Sequence, residues 1–223
     1  MNILIYTHEF PPFQGGIATS AKMIADILSP ENELTVCCPD YGIDNFTEPE
    51  NFRTHRIRFV GGRNFKKVPL AQYISGFFEI KEMIKTFKPD KIIFLGEEAE
   101  LIGGLLNNKE IDQIVRIAGS GIQSIIKKKS IFKIISRFLV KRLYRNSKNI
   151  IAVSMNTKKL MESENEFFSD NKIRLIYNGI DSSFVQREKD LSLIPEIKQN
   201  ERTFILLTVS RLLPRKGQDF VIK

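Results

Sequence analysis

Tryptophan is absent from the 223 residues, and histidine and cysteine occur only twice each. Cys37 and Cys38 are neighbours in the run Leu34–Cys38, which reads as a strand, so alternation sends their thiols to opposite faces. That excludes a disulfide between them. With no other cysteine to pair and no metal-ligand spacing, a reducing compartment fits the chain best and no metal site is expected. His8 and His55 lie far apart, and neither has the partner pattern of a metal ligand or a nucleophilic catalyst; His55 reads as a strand residue. No apolar run approaches the roughly 20 residues that cross a bilayer. Asn2–Tyr6 lacks the basic lead and the small-residue cleavage site of a signal peptide. The expectation is a cytoplasmic protein, in solution or peripheral at the inner face of the membrane. The Gly-x-Gly-x-x-Gly dinucleotide fingerprint is missing, as are internal repeats and low-complexity tracts.

What is present is a globular composition, 42% hydrophobic and 27% charged, arranged as short apolar runs between amphipathic stretches. Ile3–Tyr6, Leu34–Cys38, Lys91–Leu95, Ile114–Ile117, Asn149–Val153 and Arg174–Tyr177 have strand length. Thr54–Phe59 alternates charged and apolar residues and reads as a strand with one wet face. The helices predicted between them are Gly16–Leu28, Leu70–Phe87, Leu101–Asn107, Ile131–Asn146 and Thr157–Glu164. Strands separated by helices indicate βαβ units and an α/β fold with a parallel sheet covered on both faces. After Asn178-Gly179-Ile180-Asp181, Ser182–Arg202 is polar, irregular and broken by Pro195, which reads as a linker. Thr203–Val209 then reads as a new buried strand, followed by a basic Pro/Gly loop and a helix start at Gln218. The expected organisation is a domain over 1–181, a linker over 182–202, and over 203–223 the first strand and loop of a second domain. One strand and a helix start cannot bury their own faces, so the protein is expected to continue past residue 223.

Two loops carry phosphate-like chemistry. Thr7–Gly16 leaves the first strand and enters a helix through Gly15-Gly16, where close backbone approach, free N–H groups and the helix dipole suit an anion. Taken alone, such a pair is also a plain tight turn. Val209-Ser210-Arg211-Leu212-Leu213-Pro214-Arg215-Lys216-Gly217 leaves the last strand with Arg211 and Lys216 placed to clamp a diphosphate, one by forked hydrogen bonds and the other as a mobile charge. Ligands of open α/β sheets bind at the carboxyl ends of strands, where both loops sit. Glu97-Glu98-Ala99-Glu100 also follows a strand, but acids at a helix start also serve to offset its dipole.

From Gln113 to Met161 there is no acidic residue, while Lys127, Lys128, Lys129, Lys133, Arg137, Lys141, Arg142, Arg145 and Lys148 supply much of the net charge of +8. Ile131, Phe132, Ile134, Ile135, Phe138, Leu139, Leu143 and Tyr144 give this helix an apolar face against a basic one. That pattern suits a helix docked on a core, or one lying on an anionic membrane with Lys127, Lys128, Lys129, Lys133, Arg137 and Lys141 facing it. Against nucleic acid, a third possible partner, stand the missing tryptophan and the absence of a recognised binding signature.

The order Pro-Pro-x-x-Gly-Gly after a strand, Ile-Ala-Val-Ser, Ile-Tyr-Asn-Gly-Ile-Asp and Val-Ser-Arg-x-x-x-x-Lys-Gly resembles glycosyltransferase family 4, over the whole chain. The resemblance implies a GT-B fold: a Rossmann-like acceptor-binding domain, then the start of a second Rossmann-like, donor-binding one. It implies a glycosyltransferase that moves a hexosyl group with retention from a nucleotide-sugar, UDP- or GDP-linked, to a glycan or lipid-linked acceptor in cell-envelope or polysaccharide biosynthesis. Gly15 and Gly16 from the first domain, and Arg211 and Lys216 from the second, would meet the donor diphosphate, with no metal and no further cofactor. Two departures stand out. Where many members carry a histidine near the transferred sugar, this chain has Ala118-Gly119-Ser120-Gly121, which leaves Gly119 and Ser120 as the candidates for acceptor or sugar contact and the catalytic residue unknown. The family's paired glutamates lie in the second domain and are absent from these residues, so residues 1–223 alone are expected to be inactive. The rival reading is a nucleotide- or phosphate-binding module without transferase activity.

Overall fold

The computed structural model describes residues 1–42, 46–58, 71–118, 131–164, 166–180, 207–210, 212 and 216–222. The chain divides into two compact units, Met1–Ile180 and Asp181–Lys223. In the first, the elements run β1 (Asn2–Thr7), α1 (Gly16–Leu28), β2 (Glu33–Pro39), β3 (Arg53–Ile57), α2 (Ala71–Phe87), β4 (Lys91–Leu95), α3 (Glu97–Leu106), β5 (Asp112–Ile117), α4 (Ile131–Asn146), β6 (Asn149–Ala152), α5 (Met155–Glu162) and β7 (Ile173–Leu175). The seven strands form one sheet in the order β3-β2-β1-β4-β5-β6-β7, and every pair is parallel.

This order dictates where the helices go. The connection from β1 to β2 runs one way across the sheet, whereas those from β3 to β4 and onward to β7 run the other way. Right-handed crossovers therefore place α1 on one face and α2 to α5 on the opposite face. The core divides accordingly. Ile3, Ile5, Leu34, Val36 and Cys38 pack with Ala21 and Ala25 of α1. Leu4, Tyr6, Cys37, Ile92 and Phe94 pack with Val140, Leu143 and Tyr144 of α4. Cys37 and Cys38 fall in different clusters, both reduced and buried, and burial pushes the Cys38 thiol up to about 12. On the crowded face, α3 and α4 approach through glycine: a Cβ on Gly104 would lie 2.3 Å from the Leu139 carbonyl oxygen, and one on Gly103 would lie 2.9 Å from Leu143.

Several expectations shift. The helix expected from Leu101 begins at Glu97, because Gly96 turns the chain at φ +96° and the acids behind it suit the positive end of the helix dipole. The strand expected to reach Val153 stops at Ala152, where Ser154 caps the next helix. The strand expected over Arg174–Tyr177 is Ile173–Leu175, and Ile176 and Tyr177 are exposed. The single apolar face expected of α4 is two faces: Leu143 and Tyr144 are buried, joined by Val140, whereas Ile134, Ile135 and Phe138 are exposed.

In the second unit, Gly217 at φ +68° precedes a short helix, α6 (Gln218–Ile222). The strand expected over Thr203–Val209 is only partly described; Leu207 and Val209 are exposed and form no strand. A strand is held by a neighbouring ladder, and among the described residues this unit supplies none.

Candidate functional site

Among the helices that begin at the carboxyl edge of the sheet, α1, α3 and α5 have first turns that differ in chemistry. At α3, Glu97, Glu98 and Glu100 occupy the first turn. Glu100 is buried and accepts a 2.6 Å hydrogen bond from the Tyr144 hydroxyl. Burial pushes its carboxyl up to about 8, against the opposing effect of the Tyr144 bond, with Glu97 and Glu98 adding to the rise. At α5, the Ser154 hydroxyl accepts from the Thr157 N–H at 3.1 Å. At α1, Gly15 is the N-cap and so offers no side-chain cap of its own, no acid falls within the first turn, and the Glu9 carboxylate of the preceding loop stands beside Gly15. This first turn carries the positive end of a helix dipole.

The two glycines have separate roles there. A Cβ on Gly15 would lie 2.9 Å from Glu9 Oε2 and 3.1 Å from the Phe13 ring, so this position is crowded by its own loop. A Cβ on Gly16 would meet nothing within 4 Å, so its backbone faces open space. An anion can approach the chain closely at Gly16.

The loop leading to these glycines is braced from β3 and from the end of β2. The Arg56 guanidinium donates to the Pro11 carbonyl at 2.7 Å and to both carboxylate oxygens of Glu48 at 2.8 and 2.9 Å, and it packs on the rings of Phe10 and Phe46. The Tyr41 hydroxyl donates to the His8 carbonyl at 2.5 Å, and its ring lies 5.5 Å from that of Phe13. Sequence reading assigned the strand around Arg56 a wet face, yet the Arg56 side chain is only 17% exposed. The signal that could have identified it is the cluster of Pro, Phe and Tyr residues in two nearby loops, which need a donor for their carbonyls and a cation for their rings.

A second missed residue is Arg116, near the carboxyl end of β5. It is buried, donates to the Asn178 side-chain oxygen, and its pKa is lowered by desolvation. This contact ties the Asn178-Gly179 segment to the sheet. Both residues border a cavity of about 510 Å³ between α1 and β4 to β6, walled by Met23, Ile93, Ile114 and Ile151.

Of the residues singled out from sequence, Gly15 and Gly16 come together at the start of α1. Lys216 is exposed in the second unit. Arg211, Gly119, Ser120, Lys127, Lys128 and Lys129 lie outside the described residues, as does the side chain of Lys133. Arg137 and Lys141 converge on one carboxylate, Glu166, at 3.6 and 2.7 Å, and both lie over the Phe167 ring. The stretch without acids in sequence thus acquires one from beyond its end.

The comparisons with known proteins agree with this geometry. The sequence model described as Glycosyltransferase Family 4 matches residues 14–184. No curated protein matches the sequence. Similar solved structures include Anabaena Alr3699/HepE in complex with UDP-glucose, at 14% identity and TM-score 0.55, with 85% of this chain and 47% of that chain covered. Sucrose-phosphate synthase from Thermosynechococcus elongatus matches at 12% identity and TM-score 0.60, with coverage of 82% and 49%. The lipopolysaccharide outer core galactosyltransferase WaaB, in its apo form, matches at 13% identity and TM-score 0.53, with coverage of 81% and 46%. This chain spans about half the length of each of them. With a parallel seven-stranded Rossmann-like sheet, a glycine helix start at its carboxyl edge and a family match over most of its length, the chain belongs to Glycosyltransferase Family 4.

Proposed function

We propose that the full-length protein transfers a hexosyl group from a UDP- or GDP-linked donor to a hydroxyl of a glycan or lipid-linked acceptor, with retention at the anomeric carbon, in cell-envelope or polysaccharide biosynthesis. Residues 1–181 are the acceptor side, 182–202 the linker, and 203–223 the opening of the donor side. The observation that carries this reading is the glycine start of α1, with Gly16 facing open space in a family 4 chain. HepE, a protein of similar fold, binds UDP-glucose and UDP.

In the proposed reaction, the bond between the anomeric carbon and the donor phosphate oxygen breaks. The acceptor oxygen bonds to that carbon on the same face, and the acceptor proton passes to the leaving diphosphate. Charge grows on the diphosphate as it leaves. The N–H groups at Gly15 and Gly16, with Arg211 and Lys216, stabilise it without a metal. Gly119 and Ser120 are the proposed contacts for the acceptor or the transferred sugar. The enzyme works in the cytoplasm at the inner face of the membrane, with the basic residues Lys127, Lys128, Lys129, Lys133, Arg137 and Lys141 toward it.

The test is turnover of a panel of UDP- and GDP-sugars by the full-length protein. Arg211→Ala and Lys216→Ala should each lower kcat/KM by on the order of 2.7–4 kcal/mol, as for a lost oxyanion donor. Unchanged turnover in both removes them from the site. Residues 1–223 alone should form no product. Tight binding of a nucleoside diphosphate by the full-length protein, without transfer to any acceptor, would favour the alternative of a non-catalytic nucleotide-binding module.

A further inference from the structure

Three arginines lie on or just past β3, and they have different fates. The side chains of Arg53 and Arg58 are 76% and 91% exposed and pair loosely with Glu33 and Asp40, at 3.5 and 3.7 Å. That of Arg56 is turned inward. The register explains the difference. Arg56 stands opposite Cys38 of β2, and Cys38 belongs to the cluster that packs with α1. Arg56 therefore projects on the α1 side of the sheet, where the chain passes from β1 into α1.

There its guanidinium joins three segments. Nε donates to Glu48 Oε1 at 2.8 Å, and Nη2 donates to Glu48 Oε2 at 2.9 Å and to the Pro11 carbonyl at 2.7 Å. Nη1 donates to Cys38 Sγ at 3.2 Å and to the Pro39 carbonyl at 3.5 Å. The rings of Phe10 and Phe46 lie 5.5 and 5.4 Å from Cζ. Little of this is needed for stability: Glu48 is 47% exposed, an ion pair so placed contributes little, and burying a guanidinium has a desolvation cost. What a planar fork supplies, and a point charge does not, is fixed geometry.

We propose that Arg56 is a positioning residue of the donor site, fixing the Pro11 carbonyl so that the glycine start of α1 already has the arrangement that receives a nucleoside diphosphate. Arg56 does not touch the ligand; it acts through the loop. Sites built from backbone N–H groups depend on such preorganisation, because apparent affinity falls with the fraction of molecules that hold the competent loop. The inference rests on the donor-site reading above and adds to it a residue from the far edge of the sheet.

The experiment is calorimetric titration of the full-length protein with UDP and with GDP, followed by steady-state kinetics in the donor. Whichever diphosphate the parent binds should bind about 10-fold more weakly to Arg56→Gln, as for a competent fraction near one tenth. KM for the donor should rise with Kd, while kcat stays within about twofold, because bound donor itself holds the loop. Arg56→Lys should weaken binding nearly as much, since one ammonium cannot serve Pro11 and both oxygens of Glu48. Glu48→Ala should weaken it by a smaller factor. The double variant Arg56→Gln, Glu48→Ala should be no weaker than Arg56→Gln alone, as for residues that act through one contact. Arg58→Gln, at the same end of the strand, should bind like the parent.

Undiminished binding by a folded Arg56→Gln, with only its melting temperature lowered, would make the residue structural and overturn the proposal. Undiminished binding by Arg56→Lys would also overturn it, by assigning the effect to charge alone, and so would a fall in kcat with Kd unchanged. Should Arg56→Gln not fold, Glu48→Ala decides, and parental affinity in that variant sinks the idea. A parent that binds neither UDP nor GDP overturns the donor-site reading and the inference with it, whereas equal binding by parent and variants overturns the inference alone.

Discussion

The helices that follow β1 and β4 start at the same edge of one sheet, yet one start is built of glycine and the other of acids. α3 has three acids in its first turn and buries one of them against Tyr144, whereas α1 has no acid within its first turn, a glycine as N-cap and a second glycine facing open space. The same backbone dipole meets acids of its own first turn in the first case and none in the second. The surroundings follow the same division. α3 is locked to α4 through Gly103 and Gly104, while the loop before α1 is held from behind, by Arg56 and Tyr41, with its front left open.

The largest expected effect comes from making α1 resemble α3. In the full-length protein, Gly16→Asp places a carboxylate where the diphosphate would bind, and kcat/KM should fall by about 100-fold or more, the scale of a lost oxyanion donor. Its melting temperature should hold or rise slightly, since an acid suits that helix end. Steady-state kinetics and thermal unfolding of one preparation check both, and unaltered kinetics would remove α1 from the site.

Next in size is the α3–α4 contact. Gly104→Ala forces a methyl group into the Leu139 backbone and should destabilise the fold by roughly 1–3 kcal/mol, measured by urea unfolding. Stability within error of wild type would mean that these helices are not pressed together as described.

Glu100 sharpens the comparison through pH. Its folded carboxyl is pushed up to about 8, above its ordinary 4.5, by burial first, with Glu97 and Glu98 adding and the Tyr144 bond opposing. Between these values the folded protein holds a proton that the unfolded chain releases, so this contribution to stability falls as pH rises from 4.5 through 8. Glu100→Gln keeps a hydrogen-bonding partner for Tyr144 and cannot ionise. Its melting temperature should therefore exceed that of wild type at pH 9, and the gap should close toward pH 5. Parallel melting curves across that range would show that the carboxyl titrates normally.

The smallest effect is Gly16→Ala. With nothing near its new methyl group, the variant should gain between zero and about 1 kcal/mol from helix propensity, opposite in sign to Gly104→Ala. A clear destabilisation would mean that the space beside Gly16 is not open.

Much of the first unit was legible in advance because its strands are buried on both faces. Runs such as Leu34–Cys38 and Lys91–Leu95 are continuous and apolar for that reason, and the helices between them require parallel crossovers. Gly15-Gly16 was legible as the entry to the first helix because glycines there fit a tight turn after a strand. Arg56 and Arg116 were not legible as partners of Pro11 and Asn178. Those contacts cross 45 and 62 residues of sequence, and nothing in local composition specifies which carbonyl or amide a buried arginine will reach.

The sequence by itself determined the alternation that separates Cys37 from Cys38, the spacing of strands and helices, and the glycine pair at the first helix start, because each follows from backbone geometry over a few residues. Only the tertiary structure decided which arc of α4 is buried. Apolar side chains lie on two of its sides, and periodicity cannot rank them. The glycine surface of α3 draws Leu143 inward and leaves Ile134, Ile135 and Phe138 in the open. The fate of Glu97, Glu98 and Glu100 was settled in the same way: all three are acids of one first turn, and it is burial in the folded protein that makes Glu100 a proton-holding group, with the Tyr144 hydroxyl, brought from 44 residues away, opposing that shift.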